Sequence, residues 1–222
     1  MKHINPTFAK PAKGQLEYWN SMHENVVTIC TGLAGTGKTF LALNAGVKML
    51  YDKSSSIEKI VIIRPYMQSN TGERIGYLPG TLEEKVNPYI LSIKDNLTQI
   101  LHDDQEVEKL MKNKMEFTIL SMCRGRSFQN CFIIVEEAQN VPIDGDAMLM
   151  VLTRIGNGCK MVIQGDLDQC DIDSKKSGLA EAMNALHNIK DVGIVEMNNP
   201  ATVLRSEMVR NVLLAFKEYR NG

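Results

Sequence analysis

One stretch, Gly32-Leu33-Ala34-Gly35-Thr36-Gly37-Lys38-Thr39, restricts what this chain can fold into more than any other. It follows the apolar run 26–30 and precedes residues 38–50, whose apolar positions recur with a helical period. A glycine-rich turn between a strand and a helix lets several backbone N–H groups converge on one anion, and the helix N-terminus adds partial positive charge there. The Gly-x4-Gly-Lys-Thr spacing in that setting is the P-loop pattern, which implies a phosphate site at the C-terminal end of a strand. An α/β fold is therefore expected, and the rest of the chain agrees. Further β-rich runs at 59–63, 116–120, 131–135, 159–163 and 192–196 alternate with helical segments at 14–22, 81–101, 105–112, 144–153, 178–186 and 206–219. Such alternation reads as a mostly parallel sheet flanked by helices. Ser177, just before residue 178, reads as a helix cap.

The chain has 222 residues, the size of one domain, and 1–222 reads as a single one with no repeat or linker dividing it. Lys and Arg number 25 against 26 Asp and Glu, for a net charge of -1. Bulk charge thus gives no argument for nucleic-acid binding, and only a local basic surface can supply one. The five cysteines are odd in number, scattered and set mostly in apolar runs, which argues against a disulfide framework or a zinc site. The start of the chain shows no secretory leader, and the longest aliphatic runs, 60–63 and 133–135, are far below the roughly 20 residues that cross a bilayer. A reducing, cytoplasmic setting with no membrane contact is expected. Between Pro65 and Gly80, Gly72, Gly76, Pro79 and Gly80 interrupt any period, and a connection this long after a strand reads as a functional loop.

Within the P-loop, the backbone from Gly32 through Ala34, Gly35, Thr36 and Gly37 is expected to cradle phosphate. Lys38 is expected to reach the β- and γ-phosphates, and the Thr39 hydroxyl to be a magnesium ligand. Phe132-Ile133-Ile134-Val135-Glu136-Glu137-Ala138-Gln139 supplies an apolar strand ending in two carboxylates. Adjacent residues of an extended chain point to opposite faces, so the two can take different roles. Glu136 is assigned to the magnesium through water, and Glu137 to general-base work on an attacking water. Val162-Ile163-Gln164-Gly165-Asp166-Leu167-Asp168-Gln169 repeats the design and brings Asp166 and Gln169 to another strand end. An amide such as Gln169 can bond both a γ-phosphate and the attacking water.

Taken together these motifs resemble the PhoH-like proteins, P-loop ATPases related to the first RecA-type domain of superfamily 1 helicases. The resemblance covers almost the whole chain. Besides the P-loop and the carboxylate strand it rests on Gly14-Gln15-Leu16-Glu17-Tyr18, Arg64-Pro65, Gly76-Tyr77-Leu78-Pro79-Gly80, Glu84-Lys85, Pro88-Tyr89 and Arg124-Gly125-Arg126. It continues through Leu152-Thr153-Arg154-Ile155-Gly156, Gly165-Asp166, Gln169, Ser177-Gly178-Leu179 and Val203-Leu204-Arg205. The resemblance implies a RecA-like fold, magnesium-dependent ATP binding and hydrolysis, and a helicase-like role with RNA as the favoured single strand, DNA being the other choice. A nucleotide-gated switch or assembly protein is the alternative. It further implies that Gln15 reads the adenine edge and that Gln139 couples phosphate sensing to the neighbouring surface. Glu136 stands where the family usually has Asp, and Ser206 where it tends to have His.

A helicase-like motor of this length has no second RecA-type domain to close over the nucleotide, so a neighbouring subunit is expected to do so. A head-to-tail ring, hexameric by preference, would set Arg205 of one subunit against the ATP of the next. An intrachain ion pair is the other reading of Arg205. Arg64, Arg124 and Arg126, with Arg74 and Lys85, form a candidate basic patch for a nucleic-acid backbone, and Tyr66, Tyr77 and Tyr89 are candidate stacking residues. Alternatively these basic residues pair with Glu73, Glu83 and Glu84 or serve a subunit interface.

Overall fold

The computed structural model describes residues 11–65 and 82–199, and positions 208, 211, 212, 215, 216 and 219 beyond them; of residues 82–88 and 174 it describes the backbone alone. The segment 66–80 and Arg205 lie outside these residues, as do Arg74, Tyr66 and Tyr77.

Among the described residues six strands form one sheet: β1 (Val27–Gly32), β2 (Lys59–Arg64), β3 (Met115–Ile119), β4 (Cys131–Val135), β5 (Lys160–Gly165) and β6 (Val192–Met197). Their order is β3-β2-β4-β5-β1-β6, and each neighbouring pair is parallel. Parallel strands are covered on both faces, which is why β4 is apolar and buried at all of its positions. Alternate residues serve two cores. Phe132 and Ile134 join the layer built by α1 (Lys13–Glu24), α2 (Lys38–Tyr51), α3 (Leu82–Leu101) and α4 (Asp104–Lys114). Ile133 and Val135 face α5 (Ala147–Leu152) and α6 (Gly178–Leu186).

Element ends differ from expectation where a turn residue intervenes. The helix expected over 144–153 shortens to α5 because Gly145 and Asp146 take φ of 77° and 53°, outside the helical region. Ser177 does stand at the start of α6, but its hydroxyl makes no capping bond. Its backbone bridges Pro142, and Gly178 N–H donates to the Val141 carbonyl at 2.7 Å. Tertiary pairing therefore orders this helix start where a side-chain cap was expected.

The strand order matters most for the site. The P-loop follows β1 and the two carboxylates follow β4, while β5 runs between these strands and hydrogen-bonds to both. In an open parallel sheet, ligands bind outside the carboxyl ends of the strands, and here three adjacent ends converge.

Candidate functional site

The loop after β1 turns back on itself through Gly35 and Gly37, with φ of 81° and 89°. Gly37 opens α2 in a left-handed conformation that a Cβ would penalise. Inside the turn, Lys38 Nζ donates to the carbonyls of Gly32 at 2.6 Å and Leu33 at 3.0 Å. The Thr36 hydroxyl donates to Leu33 O at 2.8 Å. Ala34 N–H donates to Asp166 Oδ2 at 2.9 Å, so the loop after β5 holds the loop after β1. Burial pulls the Lys38 ammonium below its ordinary value, and the Asp166 and Glu137 charges oppose that shift.

The two glutamates occupy unlike surroundings. Glu136 is 7% exposed; burial pushes its carboxyl up, against hydrogen bonds from Thr39 and Gln164 and the Arg64 charge. Its Oε1 accepts from Gln164 Nε2 at 3.2 Å. Glu137 keeps 43% of its side chain exposed, and its Oε2 accepts from Gln139 Nε2 at 2.7 Å. Strand alternation does not separate them as expected: β4 ends at Val135, and Glu137 takes a left-handed φ of 49°. That backbone costs a non-glycine residue about 1–2 kcal/mol. One guanidinium lies beside both carboxylates, with Arg64 Nη1 3.9 Å from Glu136 and Nη2 3.7 Å from Glu137.

Thr39 and Glu136 form an oxygen-only pair beside the P-loop, and Gln164 Nε2 donates to both. Among the described residues no group of three His, Cys, Asp or Glu side chains gathers to hold a metal. A magnesium ion needs no such cage, since it prefers oxygen, keeps several waters and takes one or two protein ligands plus phosphate. A buried carboxylate with its nearest guanidinium nitrogen at 3.9 Å fits the charge such an ion brings.

Three residues tie the loops together. Gln139 is buried, and its Oε1 accepts from Asp166 N–H at 3.1 Å, so one amide joins Glu137 to the loop after β5. Gln169 lies in a short turn, Leu167–Gln169, with its side chain exposed at the same sheet edge. Gln164 was not among the residues the sequence singled out. It is 2% exposed and donates Nε2 to Thr39 Oγ1 at 2.9 Å as well as to Glu136. Its Oε1 accepts from the Tyr18 hydroxyl at 2.8 Å. The signal was present in the sequence as a lone amide closing the apolar run Met161-Val162-Ile163.

Gln15, expected at the adenine, is buried with its amide committed to backbone. It donates to Thr36 O at 3.1 Å and accepts from Ala12 N–H at 2.9 Å. In this structure it braces the P-loop against α1.

Of the arginines assigned to a nucleic-acid patch, Arg64 and Arg126 pair with different carboxylates. Arg64 lies on the carboxylates, with its Cζ 3.7 Å from the centre of the Tyr89 ring. Arg126 pairs with Glu116 at 2.6 Å, and Lys59 takes the other oxygen of that carboxylate. Arg126 also stacks on Phe128, a residue of the α5/α6 layer, whereas Arg64 shares strand parity with Ile60 and Ile62 of the opposite layer. The sheet therefore separates the two. Arg124 is exposed.

The model of the PhoH-like protein family matches residues 8–217. A PhoH-like protein of Bacillus subtilis is 37% identical over 204 residues, covering 91% of this chain and 62% of the relative. One from Synechocystis is 35% identical, covering 93% and 61%, and Protein PhoH of Escherichia coli is 32% identical, covering 92% and 56%. The chain thus spans about three fifths of the length of these relatives. Among solved structures, the large terminase of a thermophilic bacteriophage, in complex with ADP, superposes with a TM-score of 0.55 at 13% identity, over 89% of this chain and 48% of the terminase. The HK97 bacteriophage large terminase gives 0.52 at 14% identity, over 92% and 45%. At these identities the likeness is one of fold, and that fold is the RecA-like P-loop NTPase fold.

Proposed function

Because the chain belongs to the PhoH-like family and carries a P-loop beside a buried and a half-exposed carboxylate, we propose that it binds ATP with magnesium and hydrolyses it. The observation that carries this reading is the meeting, at three adjacent strand ends, of the Lys38 loop, the Thr39–Glu136 pair and the Gln139-held Glu137. That the thermophilic phage terminase, which shares the fold, was solved with ADP agrees with it.

Each residue has a distinct task. The Lys38 ammonium has three donors; two stiffen the loop through the Gly32 and Leu33 carbonyls, and one is left for a phosphate oxygen. Backbone N–H groups from Gly35 to Thr39 supply the rest of the anion site. Thr39 and Glu136 would hold the magnesium, Glu136 through water. The bound ion would neutralise charge on the phosphates. Glu137, half-exposed and oriented by Gln139, takes a proton from the attacking water. Gln169, at the same edge, reports whether a γ-phosphate is present. Gln15 acts on the base or on the loop that binds the phosphates; its bond to Thr36 O favours the second.

On a larger scale the proposal is an oligomeric motor or remodeller acting on single-stranded nucleic acid, RNA by preference, with Arg205 completing a neighbour's site. Lys38→Ala is expected to weaken nucleotide binding and turnover together, and Glu137→Gln to retain ATP while turning over slowly. A steady-state phosphate-release assay beside fluorescent-nucleotide titration distinguishes these outcomes. An unchanged rate in Glu137→Gln removes the base assignment. Turnover that does not respond to RNA or single-stranded DNA favours the nucleotide-gated switch over the motor.

A further inference from the structure

Among the polar groups gathered at the three strand ends, the buried amide of Gln164 and the buried phenol of Tyr18 have no task in the proposed hydrolysis. Neither is solvated, and both have found partners. Gln164 is 2% exposed and Tyr18 0%. The Tyr18 hydroxyl is held at 2.8 Å by Gln164 Oε1, and burial pushes its pKa well up, so this phenol acts as a neutral donor. With its oxygen fixed from one side, the Gln164 amide turns its NH2 the other way, toward Thr39 Oγ1 at 2.9 Å and Glu136 Oε1 at 3.2 Å.

This arrangement has a consequence for Thr39. A hydroxyl has one proton and two lone pairs. Here the lone pair facing Gln164 is occupied by its N–H, and the same amide holds the Glu136 carboxylate beside the hydroxyl. The hydroxyl proton must point away from that donor, and one lone pair is left for a cation. Without Gln164 the hydroxyl can rotate among several partners. Glu136 gains as well: it has three side-chain torsions, and the Gln164 amide pins one of its oxygens.

We propose that Gln164 is the positioning residue of the divalent-cation site, orienting the Thr39 hydroxyl and the Glu136 carboxylate, and that Tyr18 anchors it to α1. The topology explains why one amide can do this. β5 lies between the strand that leads into Thr39 and the strand that leads into Glu136, with Gln164 in register with Cys30 of β1. Tyr18 and Gln15 are three positions apart on α1, on one face of the helix. The same helix therefore braces the P-loop through Thr36 and the cation site through Gln164.

The inference rests on the proposed magnesium-dependent nucleotide binding and is tested in binding, without turnover. A fluorescent ADP analogue is titrated into the purified protein, first in EDTA and then across a magnesium series. For Gln164→Met, which keeps the side-chain length and removes the amide, half-saturating magnesium is expected to rise about tenfold or more, as loss of a partner behind a metal ligand does elsewhere. Affinity for the metal-free nucleotide is expected to stay within about twofold, because the phosphates are held by Lys38 and the loop N–H groups while Gln164 bonds the Thr39, Glu136 and Tyr18 side chains. Tyr18→Phe, which keeps the amide, is expected to give a smaller shift in the same direction.

Gln164→Met alone strands a buried hydroxyl on Tyr18 and so can lose its fold. The double variant Tyr18→Phe/Gln164→Met leaves no orphaned group on that pair and carries the same expected magnesium shift. Equal magnesium dependence in the wild-type protein and a folded double variant overturns the positioning role while leaving the proposed function standing. Wild-type protein whose ADP binding ignores magnesium overturns both.

Discussion

Arg64 illustrates how a side chain can have the right chemistry for one task and the location for another. A guanidinium at the end of a strand suits a phosphodiester backbone, yet this one lies at 3.9 Å and 3.7 Å from the two glutamates and stacks on Tyr89. Its charge works against the burial that raises the Glu136 pKa. Removing it leaves that carboxylate less compensated and frees Glu137 on one side. Arg64→Ala is therefore expected to lower turnover measured without any nucleic acid by about tenfold or more, the range seen when partners that orient site residues are removed. Unchanged basal turnover with lost stimulation by RNA would return Arg64 to the nucleic-acid role. Gln139 and Asp166 act at the same scale: each uses two hydrogen bonds to hold loops from different strands at one spacing.

At the scale of elements, the helices on one face begin and end for local reasons that can be separated from the site. α4 is the clearest case. Asp103 precedes it in an extended conformation, and its carboxylate accepts from Gln105 N–H at 3.0 Å and Glu106 N–H at 3.1 Å. Acidic residues follow in the first turn and lysines close the last, in keeping with the helix dipole. Asp103→Ala is expected to cost about 1 kcal/mol of stability, read from the urea midpoint, with nucleotide affinity unchanged because α4 packs on α3 and β3 away from the loops. A loss of nucleotide binding would show that α4 reaches the site through α3. α2 differs, since its start is the P-loop itself and its cap is a left-handed glycine. Stability and function share that helix end.

For the whole molecule, the proposed ring makes a specific demand on how the nucleotide is covered: Arg205 of one subunit serves the site of the next. Arg205→Ala alone is expected to reduce turnover by roughly a thousandfold, as removal of such fingers does in other phosphoryl-transfer enzymes. Mixed oligomers of Arg205→Ala and Lys38→Ala subunits are then expected to regain activity, because an intact Lys38 can face an intact Arg205. Phosphate release from verified mixed oligomers measures this. Absence of rescue would mean that Arg205 acts within its own chain. Among the described residues no helix is long and apolar enough to cross a membrane.

The sequence by itself determined the local grammar of this protein. The P-loop, the six apolar runs and the helices between them are written in short-range pattern, because a strand covered on both faces must be apolar throughout and a phosphate loop must be rich in glycine. Glu136, Glu137, Asp166 and Gln169 stand out in the sequence because each lies in the polar stretch that follows an apolar run. Only the tertiary structure decided which strands lie side by side. Thr39 and Gln164 are 125 positions apart, and nothing near either one specifies that β5 separates β1 from β4. That choice is made by the packing of helices on the two faces of the sheet. It turned an amide in an apolar strand into the partner of Thr39 and Glu136. It also drew Arg64 onto the carboxylates and sent Arg126 to the opposite face, where Glu116 binds it.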